Sequence, residues 1–135
     1  MIVGYWNIRG LNNPSKQHEI VKFVLSNHID VLGIIESKVR IPNQVKIQRS
    51  FLPSWKFVTN SLPNSVDRIW VGWNPDNVNL HVTINTQQMI HATITSIDLS
   101  IQLDASFIYG YNTIQDRRAL WRDMRLVSSS IGDVP

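Results

Sequence analysis

The sequence predicts an α/β (α+β) fold, in which one parallel strand–helix–strand unit precedes a set of antiparallel strands. Three observations carry this prediction. Apolar runs at 2–7 and 31–37 flank a segment with helical periodicity at 14–28. Five short strand-like runs follow between residues 55 and 109. A capping-box pattern at 113–116 then introduces a second helix.

The first unit begins and ends with a buried strand. The runs "IVGYWN" and "VLGIIES" are nearly continuously apolar, which is typical of strands covered on both faces. Between them, Asn13 suits the N-cap of a helix and Pro14 its first residue. A crossover of this kind within one sheet normally makes the two strands parallel. The helix has an apolar stripe, formed by Ile20, Val21, Val24 and Leu25.

The middle of the chain predicts consecutive short strands, which are normally antiparallel when tight turns join them. Turns rich in Pro, Asn, Gly and Ser separate these strands. The last strand alternates, with its apolar residues on one face. The predicted strands are 55–59, 68–73, 77–84, 89–97 and 101–109, and the apolar face of the last is Ile101, Leu103, Ala105 and Phe107.

The segment after residue 113 predicts a second helix on the sheet. Its predicted buried stripe is Leu120, Trp121, Met124 and Val127. A helix packed on a sheet is expected to lead into a further strand, and no strand pattern follows before residue 135. We therefore expect residues 1–135 to form a single domain that is truncated at its C-terminus.

Composition narrows the classes of protein. Hydrophobic residues make up 43% and charged residues 17%, which indicates a folded globular chain rather than a disordered one. Thirteen basic and ten acidic residues give a net charge of +3, which allows a polyanionic partner without requiring one. The absence of cysteine excludes disulfides and thiolate metal sites.

No targeting signal is visible in the sequence. The N-terminus lacks a basic segment followed by an apolar one, and no apolar run approaches the length of about 20 residues that a membrane helix needs. We expect an intracellular protein of the nucleus or cytoplasm that is not secreted and has no membrane partner.

Two polar residues end the two predicted parallel strands. Asn7 follows the first apolar run and Glu36 the second. Because neighbouring parallel strands end at the same sheet edge, where open α/β sheets bind ligands, the two side chains are expected to meet there. Without that setting, a strand-end asparagine is a common capping residue and a strand-end glutamate a common solvated acid.

Five motifs in order resemble the endonuclease/exonuclease/phosphatase superfamily. They are "WNIRGL" (6–11), "IIESK" (34–38), "RIWVGWNP" (68–75), "IYGYNT" (108–113) and "RRALWRDM" (117–124). Together they are most similar to the endonuclease domain of plant LINE-type (non-LTR) retrotransposons. The resemblance covers residue 2 to about residue 130 and implies part of a four-layer α/β sandwich, with mostly antiparallel sheets and the second half missing.

The resemblance implies specific roles for site residues. Asn7 matches an asparagine near the metal and the scissile phosphate, and Glu36 matches the metal-binding glutamate. Tyr109 matches a tyrosine that helps to hold the phosphate, so Asn7 and Tyr109 are the candidate catalytic residues. Asn112 and Arg9 are candidate substrate contacts. The implied cofactor is Mg²⁺ or Mn²⁺, which prefers carboxylate, phosphate and water oxygens, with no small-molecule cofactor. The implied partner is DNA.

The remaining machinery of the superfamily has no match in this sequence. An aspartate and an asparagine in a "GDFN"-like segment and a late aspartate–histidine pair are not found, and Asp133 in "GDVP" is rejected because Pro135 stands where the asparagine is needed. We expect an N-terminal fragment of a nicking endonuclease that is inactive alone. The alternatives are a non-catalytic remnant with weak or no nucleic-acid binding, and a phosphatase-like member that acts on phosphate esters.

Overall fold

The computed structural model describes residues 1–60 and 67–131, and it contains two β-sheets and three helices in those ranges. The elements in chain order are β1 (Val3–Asn7), α1 (Pro14–Asn27), β2 (Val31–Ile35), α2 (Ile41–Phe51), β3 (Lys56–Thr59), β4 (Ile69–Trp73), β5 (Val78–Asn85), β6 (Met89–Ser96), β7 (Gln102–Ile108) and α3 (Arg118–Ile131).

The first sheet has the strand order β1-β2-β4-β3. β1 and β2 are parallel, with Asn7 opposite Ile35, as the strand–helix–strand pattern predicts. β4 is antiparallel to both β2 and β3. The helix between the parallel strands begins as predicted, because the Asn13 side chain accepts a hydrogen bond from the Ser15 N–H at 2.9 Å.

The second sheet is the antiparallel meander β5-β6-β7. The described elements form four layers. α1 and α2 cover one face of the first sheet, and its other face packs on the second sheet. α3 lies on the far side of the second sheet, against Met89. The predicted α/β sandwich with mostly antiparallel strands is therefore confirmed.

A cluster of buried apolar residues joins the two sheets. Residues from β2 and β4 pack against residues from β5, β6 and β7. Gly33 lets the sheets come close, because a Cβ atom there would lie 2.3 Å from Cδ1 of Phe107. The second sheet leaves β1 uncovered, so Tyr5 is 56% exposed although it lies on the same sheet face. The buried residues of this interface are Val31, Ile35, Ile69, Val71, Val78, Ile90, Ile94 and Phe107.

Two features differ from the sequence-based expectation. α2 was not predicted, because Ile41 and Val45 are exposed and only Ile47 and Phe51 give it a buried stripe. In α3, the predicted stripe of four residues is wrong in part. Leu120 and Val127 are buried, whereas Trp121 and Met124 are each 41% exposed, because α3 touches the sheet only along a line of residues seven apart.

No helix in the described ranges is both long and apolar enough to cross a membrane. Asp133, which the sequence analysis rejected as a catalytic aspartate, lies outside the described residues.

Candidate functional site

A cavity of about 540 Å³ opens at the C-terminal end of β2, between the two sheets. The register pairs Asn7 with Ile35, so β1 and β2 end at the same edge, and Glu36 is the next residue. The lining of the cavity includes Glu36, Lys38, Arg68, Tyr109 and Asn112. Side chains from both sheets therefore converge at the edge where the sequence predicted a site.

Glu36 lies in the left-handed region of backbone conformation, with φ +58°. Arg9 and Lys38, at the same edge, also have positive φ angles, of 53° and 54°. Such residues cost about 1–3 kcal/mol each and cluster at functional sites. The Glu36 N–H donates to the Arg68 carbonyl and the Glu36 carbonyl accepts from Gly10, both at 2.7 Å, which holds this conformation in place.

A hydrogen bond joins the two sheets at this cavity. The Tyr109 hydroxyl, just after β7, donates to Oε1 of Glu36 at 2.9 Å. The hydrogen bond to Glu36 is the main cause that raises the pKa of Tyr109, burial adds to it, and the Arg68 charge acts in the opposite direction. Tyr109 therefore stays protonated at neutral pH and remains a hydrogen-bond donor. Burial raises the pKa of Tyr5 as well, and the Glu36 charge adds to that effect.

The buried side chain of Gln88 fixes the loop that carries Tyr109 and Asn112. The backbone carbonyl of Gln88 accepts a hydrogen bond from the Tyr109 N–H at 2.9 Å, and the side-chain Oε1 of Gln88 accepts one from the Tyr111 N–H at 2.7 Å. Its Nε2 donates to the Asp116 carbonyl at 3.0 Å. Because three bonds from one residue span the loop, the positions of Tyr109 and Asn112 depend on Gln88.

On the other side of the cavity, the side chain of Asn60 holds two backbone segments in place through hydrogen bonds. Its Oδ1 accepts from the N–H groups of Arg68 and Ile69, at 3.0 and 2.9 Å. Its Nδ2 donates to the carbonyls of Thr86 and Gln87, at 3.2 and 3.0 Å. The start of β4 and the turn between β5 and β6 are thus fastened to one side chain.

Arg68 is stacked on two tyrosine rings beside the cavity. Its guanidinium carbon lies 4.6 Å from the ring centroid of Tyr111 and 5.9 Å from that of Tyr109. The Tyr111 hydroxyl in turn donates to Oε1 of Gln87. These contacts hold the Arg68 guanidinium beside Tyr109, the residue that donates to Glu36.

Comparison with solved structures identifies the fold. The endonuclease domain of TRAS1, a telomere-specific non-LTR retrotransposon, superimposes with a TM-score of 0.70 at 9% identity, over 95% of this chain and 54% of that one. D. rerio TDP2 humanized by 14 mutations gives 0.61 at 15% identity, over 97% and 56%. The Bacteroides thetaiotaomicron mannosyl-6-phosphatase gives 0.64 at 12% identity, over 93% and 59%.

The chain has the endonuclease/exonuclease/phosphatase fold. The resemblance that the five motifs predicted is confirmed at the level of the fold. No protein-family model and no curated protein matches the sequence. The chain spans somewhat more than half the length of the solved chains named above.

Within this fold, the predicted site residues fall into two groups. Glu36, Tyr109 and Asn112 line one cavity, and Glu36 and Tyr109 are in direct contact. Asn7 and Arg9 lie at the same strand edge with exposed side chains, outside the cavity lining of the described ranges. The Arg9 carbonyl accepts a hydrogen bond from Nζ of Lys16 at 3.0 Å.

The sequence did not predict several residues at the site, among them Tyr5, Lys38, Arg68 and Tyr111. Tyr5 could have been found, because it lies two residues before Asn7 and therefore on the same face of β1. Arg68 and Tyr111 carried no such signal. Their stacking depends on the register of β2 with β4 and on the loop after β7, which are long-range features.

Two side chains at this sheet edge carry oxygen atoms that a hard divalent cation can bind. Glu36 supplies a carboxylate, and Asn7 supplies an amide oxygen at the same edge. No group of three or more His, Cys, Asp or Glu side chains that could enclose a metal exists among residues 1–60 and 67–131. Mg²⁺ is commonly held by one or two carboxylates together with water and substrate phosphate, and Glu36 and Asn7 carry oxygen donors of the kind that it takes.

Proposed function

We propose that this chain forms part of the active site of a phosphodiesterase, and that the parent domain is a Mg²⁺-dependent endonuclease that nicks DNA. The observation that carries the proposal is the hydrogen bond from Tyr109 to Glu36 across the two sheets. It joins the two residues that the motifs assign to phosphate and metal. The similarity of the fold to the TRAS1 endonuclease domain supports the choice of DNA as substrate.

Each residue has a role that follows from its chemistry. Glu36 holds Mg²⁺ or Mn²⁺, and the Asn7 amide contacts the metal or the scissile phosphate. The Tyr109 hydroxyl donates to a phosphate oxygen and stabilises charge that develops there. Asn112, which lines the cavity, and Arg9, which follows β1 at the same sheet edge, contact the substrate. When bound, the metal ion makes the phosphorus more electrophilic by polarising its oxygens.

We further propose that residues 1–135 are a single partial domain with little or no nicking activity alone. In this proposal Glu36 is the one carboxylate assigned to the metal. The other acid that lines the cavity, Asp67, is buried and accepts hydrogen bonds from Val39 and Gln44, so it is not placed to activate the attacking water. No histidine is among the lining residues that the structure describes. With one carboxylate ligand, metal affinity is expected to be about millimolar, or about 4 kcal/mol of binding free energy.

Metal binding can be tested without activity. Mn²⁺ titrated into ¹⁵N-labelled protein should broaden the amide signals of residues 36, 109 and 112 first, because a paramagnetic ion relaxes nearby nuclei. Glu36→Gln should abolish this selective broadening. Glu19→Gln, which removes the exposed acid of α1, is the matched control and should not. Broadening that is unchanged by Glu36→Gln would refute the proposed metal site.

Activity separates the candidate functions. Supercoiled plasmid with Mg²⁺ should remain largely intact with this chain, and strong nicking that Glu36→Ala abolishes would refute the proposed inactivity. The phosphatase alternative has support from the similarity to mannosyl-6-phosphatase. Release of phosphate from mannose 6-phosphate, again dependent on Glu36, would favour that alternative over the endonuclease.

A further inference from the structure

Arg68 has no role in the function proposed above, yet its side chain lies beside Tyr109, the residue that donates a hydrogen bond to Glu36. Its guanidinium lies over Tyr111 at 4.6 Å and over Tyr109 at 5.9 Å. A long side chain held by two rings has already lost part of its rotational freedom. It can therefore bind a ligand at a lower entropic cost than a free surface arginine.

The sheet register places Arg68 at the same sheet edge as Glu36. β2 and β4 are antiparallel with Ile35 opposite Ile69, so Glu36 and Arg68 form the next pair. The Glu36 N–H donates to the Arg68 carbonyl at 2.7 Å, which extends the pairing past the ends of both strands. A carboxylate and a guanidinium thus line one cavity from neighbouring strands.

Stacking leaves the hydrogen-bonding capacity of an arginine intact. The N–H groups of a guanidinium lie in its plane, whereas a ring covers its face, so the donors remain available to an anion at the edge. Arginine binds phosphate in a bidentate manner, which gives both strength and orientation. Lys38 and Asn112 line the same cavity and add a second cation and an amide donor.

We propose that Arg68 binds a phosphate group of the substrate, in a subsite that Lys38 and Asn112 complete and that does not require the metal. This inference rests on the proposed function, since it names the residue that holds the substrate's phosphate beside Glu36 and Tyr109. Arg68 is a substrate-binding residue in this scheme, and Tyr111 is a positioning residue that keeps the guanidinium at the cavity.

The test measures binding of inorganic phosphate and of thymidine 5′-monophosphate in the presence of EDTA, by NMR shifts of the ¹⁵N-labelled chain. In the wild type, the largest shifts should occur at the Arg68 Nε–H and at the amides of residues 109–112. Arg68→Gln should weaken binding by about tenfold to a hundredfold, the range for a lost hydrogen-bonded charge contact. The phosphate affinity of Arg68→Lys should lie between those of the wild type and Arg68→Gln, because lysine keeps the positive charge but lacks the planar guanidinium.

Arg49→Gln is the matched control, because it removes one positive charge from the exposed end of α2, away from the cavity lining. It should change the affinity by less than about twofold, as expected for a screened surface charge. Tyr111→Leu should weaken binding less than Arg68→Gln does, because the charge remains and only its support is lost.

Three results would overturn the inference: no phosphate binding by the wild type, equal losses in Arg68→Gln and Arg49→Gln, or wild-type shifts that bypass the cavity. The wild-type shift map does not depend on whether a variant folds. The Mn²⁺ experiment keeps the two proposals apart. If Glu36→Gln abolishes the Mn²⁺ broadening but Arg68→Gln leaves phosphate binding unchanged, only the inference about Arg68 is refuted. If Glu36→Gln leaves the broadening unchanged but Arg68→Gln weakens phosphate binding, the metal site is refuted and the phosphate subsite is retained.

Discussion

Asp67 makes the stability of this chain depend on pH in an unusual direction. The residue is 1% exposed, at the back of the cavity. Its Oδ1 accepts from the Val39 N–H at 2.7 Å and its Oδ2 from Nε2 of Gln44 at 3.3 Å. Burial raises the pKa of Asp67 to about 6, and the hydrogen bond from Val39 only partly opposes this effect.

The magnitude follows from the difference between the folded and unfolded states. A rise in pKa from 3.8 to about 6, at 1.36 kcal/mol per pKa unit, is worth about 3 kcal/mol. Because the folded protein keeps its proton to higher pH than the unfolded chain, this contribution is fully present below pH 3.8. It is lost as the pH rises through about 6.

Asp67→Asn should remove this dependence, because the amide is neutral at every pH and can still accept from Val39. Urea unfolding of wild type and variant between pH 4 and pH 7 gives the difference in free energy at each pH. We expect the variant to gain about 2 kcal/mol relative to wild type between pH 4 and pH 7, because at pH 4 part of the full contribution of about 3 kcal/mol has already been lost. Burial lowers the pKa of His91, so His91 makes stability rise with pH. This contribution is the same in both proteins and cancels when their free energies of unfolding are subtracted.

Asp76→Asn, at an exposed acid, is the control and should follow the wild-type curve. A wild type and an Asp67→Asn variant whose stabilities run parallel from pH 4 to pH 7 would refute the reasoning. That result would mean that Asp67 is ionised in the folded protein throughout, and that its hydrogen bonds outweigh its burial.

Three further predictions concern the sheet interface and the site. Gly33→Ala should destabilise the chain by about 1–3 kcal/mol, because the new methyl group meets Phe107 at 2.3 Å; an unchanged urea midpoint would contradict this. Asn60→Ala should cost about 3 kcal/mol, since four hydrogen bonds lose their partner, and a loss below 1 kcal/mol in the same assay would show that water replaces them. Glu36→Gln should lower the pKa of Tyr109 towards its ordinary value, because the hydrogen bond and charge of Glu36 raise it; an NMR titration in which that pKa stays in place would show that burial is the main cause.

The sequence predicts those elements whose signal is local. The parallel pair was predictable because two continuous apolar runs flank a helix with a good N-cap at Asn13. The alternation in 101–109 correctly placed Phe107 on the inner face. α2 gave no comparable signal, since its helical residues include exposed Ile41 and Val45 and no side-chain cap.

Tertiary contacts decide the features that the sequence did not predict. The exposed half of the α3 stripe, including Trp121, depends on the angle at which the helix meets the sheet. A β-bulge between Val82 and Ile84 moves Ile84 to the outer face of the second sheet, where it packs near α3. The apolar and polar residues of β5 alternate without interruption through residues 82–84, so the sequence gives no sign of the bulge.

The position of the Glu36 carboxylate illustrates the same limit at the centre of the site. Ile35 packs between the sheets, so regular alternation would turn the next side chain towards the helices. The left-handed backbone of Glu36 breaks that alternation, and its carboxylate instead meets Tyr109 on the side of the second sheet. The cost of this conformation, about 1–3 kcal/mol, is offset by contacts with Gly10, Arg68 and Tyr109, which are far apart in the sequence. Topology could therefore predict the edge at which the site lies, whereas the face on which the carboxylate emerges follows only from the assembled sandwich.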